Sequence, residues 1–217
     1  MATHCQRNTT MSRYIFVSGA PGSKWSSVVK NIYYSPSIDS TDAAPHREYY
    51  HDATGTMQLM HMGVYWGPGM EFGHWFDRLD QYSMQQNQAE FDRPFSGSGR
   101  RIIKSHVFAY HIDYIKRTWP DCPIVLVERS DDACLGWWVK CGEFSISYPA
   151  YGDYYKDLRQ MAHHISQENQ GNRQAAKKYP GYNAETNLQL AGLLSLLTPP
   201  MQYYQHYIQS DIKVTVI

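Results

Sequence analysis

The segment Pro123–Glu128, PIVLVE, constrains the fold more than any other part of this 217-residue chain. It is apolar at every position until its last residue and rich in β-branched side chains. Successive strand residues point to opposite faces, so such a strand must be covered on both sides, as parallel strands in α/β proteins are. Arg13–Ser18 (RYIFVS) and Arg101–Ser105 (RIIKS) are shorter runs of the same kind, and Ile212–Ile217 (IKVTVI) reads as a closing strand.

Helical spacing fills the intervals: Ser23–Tyr34, Tyr110–Trp119 up to Pro120, Asp131–Lys140, Asp153–Gln167, and Thr186–Leu197 up to Pro199-Pro200, with Met201–Gln209 continuing as helix. Asp131 and Asp132 put negative charge where a helix start favours it. A short helix is expected near Glu71–Gln81, while residues 35–58 and Gln85–Gly99 read as surface connections. Strands alternating with helices predict a single-domain α/β fold over residues 13–217, a three-layer sandwich around a mainly parallel central sheet. Residues 1–12 are expected to be a flexible N-terminal tail.

Charge and composition narrow the partners. Twenty Lys and Arg balance twenty Asp and Glu, so there is no general basic footprint and no nucleic-acid partner is expected. The first sixteen residues lack the apolar run of a signal peptide. The longest apolar stretch, Leu188–Leu197, is shorter than the ~18–20 residues that span a bilayer. A soluble, cytoplasmic protein with no membrane partner is expected. Cys5, Cys122, Cys134 and Cys141 form no C-x-x-C pair, and Cys134 and Cys141 read as small buried thiols. Aromatic residues reach 14%. Tyr65-Trp66, His74-Trp75-Phe76 and Trp137-Trp138 either wall a ligand pocket or belong to the core.

Between the first strand and its helix lies Ser18-Gly-Ala-Pro-Gly-Ser-Lys-Trp-Ser-Ser27, a P-loop-like strand–turn–helix. Helix-start N–H groups lack intrahelical partners and favour an anion. Gly19 and Gly22 permit a sharp turn and close approach, Lys24 adds charge, and Ser23, Ser26 and Ser27 add hydroxyls. The segment is either an anion cradle or a plain strand–helix turn with Lys24 solvated. It departs from the nucleotide-triphosphatase pattern G-x-x-x-x-G-K-[ST], because Trp25 stands where the magnesium-binding Ser or Thr would be.

Lys104 and His106 stand two apart at the end of the RIIKS strand, a spacing that puts both on one face of an extended chain. The carboxyl end of such strands is where open α/β sheets bind ligands. Histidine can take a proton near neutral pH and lysine can neutralise developing charge; a structural histidine is the alternative. Arg129 ends PIVLVER, where its guanidinium suits a terminal phosphate or pairs with Asp131 or Asp132.

In order and spacing, Pro21-Gly-Ser-Lys-Trp-Ser-Ser27, Lys104-Ser-His106 and Val127-Glu-Arg129-Ser-Asp-Asp132 resemble the sulfotransferases that use 3′-phosphoadenosine 5′-phosphosulfate (PAPS). The resemblance covers residues 13–35 and 100–140. It implies His106 as the base that deprotonates a hydroxyl or amine, with Lys104 and Lys24 neutralising charge on the sulfuryl group. It also implies Gly22, Ser23, Lys24, Trp25, Ser26 and Ser27 around the 5′-phosphosulfate and Arg129 on the 3′-phosphate. The acceptor would be a small molecule or glycan, the product 3′,5′-adenosine bisphosphate (PAP), and no metal is expected. Three positions depart from the family pattern: Gly22 replaces a basic residue, Ser27 a tryptophan and Trp137 a serine. A P-loop nucleotide or small-molecule kinase, or a catalytically inactive nucleotide-binding protein on the same scaffold, is the alternative.

Overall fold

The computed structural model describes residues 12–42, 64–65, 75–140, 156–199 and 208–217. Cys5, Cys141, Trp66, His74 and most of Met201–Gln209 lie outside them. Strand β1 (Tyr14–Gly19) leads through the glycine turn to helix α1 (Trp25–Tyr33). There follow β2 (Val64–Tyr65), a 3-10 helix (Trp75–Gln81), α2 (Met84–Asp92) and β3 (Arg101–Lys104). A second 3-10 helix (His106–Tyr110) precedes α3 (Ile112–Thr118), β4 (Ile124–Arg129) and α4 (Asp131–Lys140). The chain closes with α5 (Leu158–Lys178), β5 (Tyr182–Ala184), α6 (Asn187–Leu193) and β6 (Ile212–Val216).

The six strands form one sheet in the order β2-β3-β1-β4-β6-β5. The pairs β2–β3, β3–β1 and β1–β4 are parallel, while β4–β6 and β6–β5 are antiparallel. The sheet is therefore mixed, with β2, β3, β1 and β4 parallel and an antiparallel flank of β6 and β5. β5, a three-residue strand with two exposed positions, carries almost no hydrophobic pattern and went unpredicted.

Alternation along the central strands feeds two separate cores. Tyr14, Phe16, Ile103, Ile124 and Leu126 meet Phe91 of α2, Ile112 and Ile115 of α3, and Ala175 of α5. Ile15, Val17, Ile102, Val125 and Val127 meet Val28, Val29 and Ile32 of α1 and Leu190 of α6. Both faces are thus covered, as the double-sided apolarity of PIVLVE requires. Each fully buried side chain of this size contributes roughly 1.5–3 kcal/mol of transfer free energy. Phe16 is central to the first core, with ring centroids 5.5 Å from Phe91 and Trp119 and 5.7 Å from Phe108.

Several helices differ from what the sequence predicts. Gln85–Gly99, expected as a surface connection, contains α2. Its start is fixed by a capping box in which Ser83 accepts from the Gln86 backbone and Gln86 accepts from the Ser83 backbone. The helix expected at Asp153–Gln167 begins at Leu158, capped by Asp157, and runs eleven residues further, to Lys178. Its extension buries Glu168, Asn169 and Asn172, polar residues that look like a solvent face in the sequence. The stretch Tyr110–Trp119 divides between the second 3-10 helix and α3, and α6 stops at Leu193, four residues before Leu197.

Candidate active site

The parallel register brings the carboxyl ends of β3, β1 and β4 side by side. Val17 pairs with Lys104, and Gly19 pairs with Val127, two residues before Arg129. The glycine turn, Lys104-Ser-His106 and Arg129, distant in sequence, therefore meet at the carboxyl ends of these three interior strands.

The turn is tightly built. Gly22 has φ +79°, and a Cβ on it would lie 2.0 Å from the Cys134 carbonyl oxygen in α4. The basic residue carried here by the family that the sequence resembles has no room. Lys24 is the N-cap of α1 in a left-handed conformation, φ 62°, and its own side chain does not cap that helix end. The Lys24 ammonium reaches Gln209 Oε1 at 2.6 Å and lies 4.4 Å from the centre of the Trp137 ring. Ser23 is fully buried, and among the described residues its hydroxyl has no hydrogen-bond partner. Ser26 is buried and Ser27 exposed. Trp25 is 5% exposed and packs in the core between the sheet and α1.

Lys104 is fully buried, its ammonium 3.4 Å from the Ser26 hydroxyl and 5.7 Å from the centre of the Trp25 ring. Burial destabilises the charged form and lowers its pKa to about 7, with the Asp42 carboxylate pulling the other way. A lysine so placed exchanges its proton near neutral pH.

His106 faces elsewhere. The chain leaves β3 at Lys104 and turns into a 3-10 helix, so the two-residue period ends before His106. Lys104 reaches towards α1, whereas His106 Nδ1 meets Glu168 Oε1 of α5 at 2.7 Å. The expectation that both lie on one face is corrected: each is held by a helix from a different side of the sheet. Both His106 and Glu168 are fully buried.

Arg129 makes the salt bridge that the sequence left open, but with Asp211 instead of Asp131 or Asp132. Its Nε and Nη2 each lie 2.7 Å from Asp211 Oδ2, and Nη1 donates to the carbonyls of Gly22 and Ala133, both at 3.1 Å. The slight burial of Asp211 works to raise its carboxyl pKa, and the Arg129 hydrogen bond and charge outweigh it. Arg129 thus ties the end of β4 to the glycine turn and to the start of β6. It borders an open cleft of about 260 Å³ that Arg173 and Lys213 also line.

Helix α5 supplies the site residues that sequence reasoning missed. Glu168 holds His106, Asn169 Nδ2 donates to the Arg129 carbonyl at 3.1 Å and to Asp131 at 2.8 Å, and Asn172 Oδ1 accepts from Ser18 at 2.7 Å. Residues 168, 169 and 172 share one helix face, and that face spans the ends of three strands. Close approach is built in, since a Cβ on Gly171 would lie 2.5 Å from the Ala109 carbonyl oxygen. The one available signal was the spacing of Glu168 and Asn172 four apart.

Among the described residues no helix is long and apolar enough to cross a membrane, and no group of three His, Cys, Asp or Glu side chains could hold a metal. No protein-family model, curated protein or solved structure matches the chain.

Proposed function

We propose that this chain is a sulfotransferase moving a sulfuryl group from PAPS to a hydroxyl or amine of a small-molecule or glycan acceptor. The observation that carries the reading is the meeting, at the carboxyl ends of three neighbouring strands, of a helix start behind a glycine turn, a buried lysine, a buried histidine and a strand-end arginine. In this reading the two covered faces make a three-layer sandwich, and β1, the turn and α1 form a P-loop-like unit. The α1 N–H groups and the hydroxyls of Ser23, Ser26 and Ser27 take the 5′-phosphosulfate, whose negative charge suits a helix start. Gly22 allows the close approach, and Lys24 adds charge at the mouth of the turn. Trp25 holds its part of the loop against the core, and Arg129 exchanges Asp211 for the 3′-phosphate.

Transfer is an in-line displacement at sulfur. The acceptor oxygen or nitrogen attacks sulfur while its proton passes to His106. The sulfur–oxygen bond to the 5′-phosphate breaks, and the electron pair leaves on the phosphate oxygen of PAP. Protonated Lys104 offsets the charge that develops there, an electrostatic role that a water-poor site strengthens.

The test is thermal unfolding with PAP in the absence of metal, beside ATP with magnesium. PAP at 100 times its Kd is expected to add ~2.7 kcal/mol, a Tm rise of roughly 5–10 °C for a domain of this size. His106→Ala should keep that rise and lose sulfuryl transfer. A rise with ATP and magnesium alone would replace this reading with the kinase, and a PAP rise without turnover on any acceptor would leave a nucleotide-binding scaffold.

A further inference from the structure

A histidine acts as a base only through a ring nitrogen that lacks a proton, and which nitrogen that is depends on what the other one bonds. His106 Nδ1 lies 2.7 Å from Glu168 Oε1, with both side chains fully buried. A carboxylate cannot donate, so in neutral His106 the proton resides on Nδ1 and the lone pair on Nε2. The pair is anchored from both sides. Ser105 turns the chain out of β3 into the 3-10 helix that carries His106. Glu168 stands on α5, whose register is fixed by Asn169 on the Arg129 carbonyl and Asn172 on Ser18. Tyr110 and His164 also lie within the electrostatic reach of this carboxylate.

We infer that Glu168 is the positioning residue of the site: it holds His106 in the Nδ1–H tautomer, aims Nε2 at the acceptor and stabilises the imidazolium that forms when Nε2 takes the acceptor proton. The inference deepens the sulfotransferase reading and rests on it for the identity of the proton donor. The tautomer itself is independent of that reading. No group beyond the acceptor, PAPS and His106 enters the balance; Glu168 keeps its charge throughout, as the buried carboxylate of a Ser-His-Asp triad does.

The experiment is a long-range proton–nitrogen spectrum of ring-labelled full-length protein at pH 8, with His106 assigned by its loss in His106→Asn. The expected signal is one ring proton, on Nδ1. A proton on Nε2, or protons on both nitrogens, would overturn the inference. In Glu168→Gln, whose amide can present either a donor or an acceptor, the tautomers should mix. With PAPS and an acceptor, its kcat should fall roughly 10²-fold or more while the KM for PAPS stays within about twofold. An unchanged tautomer and kcat in that variant would also overturn it. The expected tautomer in a protein that transfers no sulfuryl group would keep the positioning role and reject the sulfotransferase reading.

Discussion

Lys104 carries an ammonium into a fully buried place beside Ser26 and Trp25, and its pKa falls to about 7. The sign of the resulting pH dependence is fixed by linkage. Between about pH 7 and 10 the unfolded chain still binds the proton that the native state has released. Native stability attributable to this residue therefore rises with pH, by about 1.4 kcal/mol per unit. Below pH 7 native Lys104 is charged and the burial cost is fully present. Urea unfolding of wild type and Lys104→Met at pH 7, 8 and 9 reads this out: the wild type should gain on the variant at each step. A constant difference would mean that the lysine stays charged throughout. Lys104 and His106 were both legible as residues of interest, because they stand at and just past the end of a strand. That they face different helices was not, because the backbone turn at Ser105 has no signature in K-S-H.

At the scale of elements, the glycine turn is held from below by α4. Gly22→Ala would put a methyl group against the Cys134 carbonyl in a backbone conformation, φ +79°, that favours glycine. Equilibrium unfolding should show a loss of about 2 kcal/mol or more, and PAP affinity should fall with it. A fully stable Gly22→Ala protein would show that the turn can move away from α4. Helix α4 was readable to the residue from its paired aspartates, Asp131 and Asp132. Helix α2 had its signal in plain view, Ser83 and Gln86, yet buries only Asn87 and Phe91, too little apolar surface for periodicity to register. Helix α5 was cut short in the sequence reading for the opposite reason. Its buried face carries Glu168, Asn169 and Asn172, and hydropathy does not distinguish a polar side chain satisfied inside from one facing water.

For the whole molecule, β6 joins the last residues to the site. It lies between β4 and β5, and its first residue, Ile212, pairs with Arg129, which Asp211 holds. Val214, 1% exposed, sits in the core shared with α1 and α6. Val214→Asp buries an unpaired carboxylate there and should cost about 3 kcal/mol or more, lowering the urea midpoint and releasing both antiparallel pairs. A loss below about 1 kcal/mol would mean that this flank contributes little to the fold. The sequence by itself determined that the chain forms an α/β sheet covered on both faces, where its central strands lie, and that Lys104 and Arg129 end two of them. Local hydrophobic pattern and turn chemistry are enough for that. Only the tertiary structure decided that the last strand runs antiparallel, that Arg129 pairs with Asp211, and that one polar face of α5 brings Glu168 to His106. Those outcomes depend on which segments meet across 62 to 91 residues of chain, and a pairing between distant polar side chains leaves no periodicity in either partner.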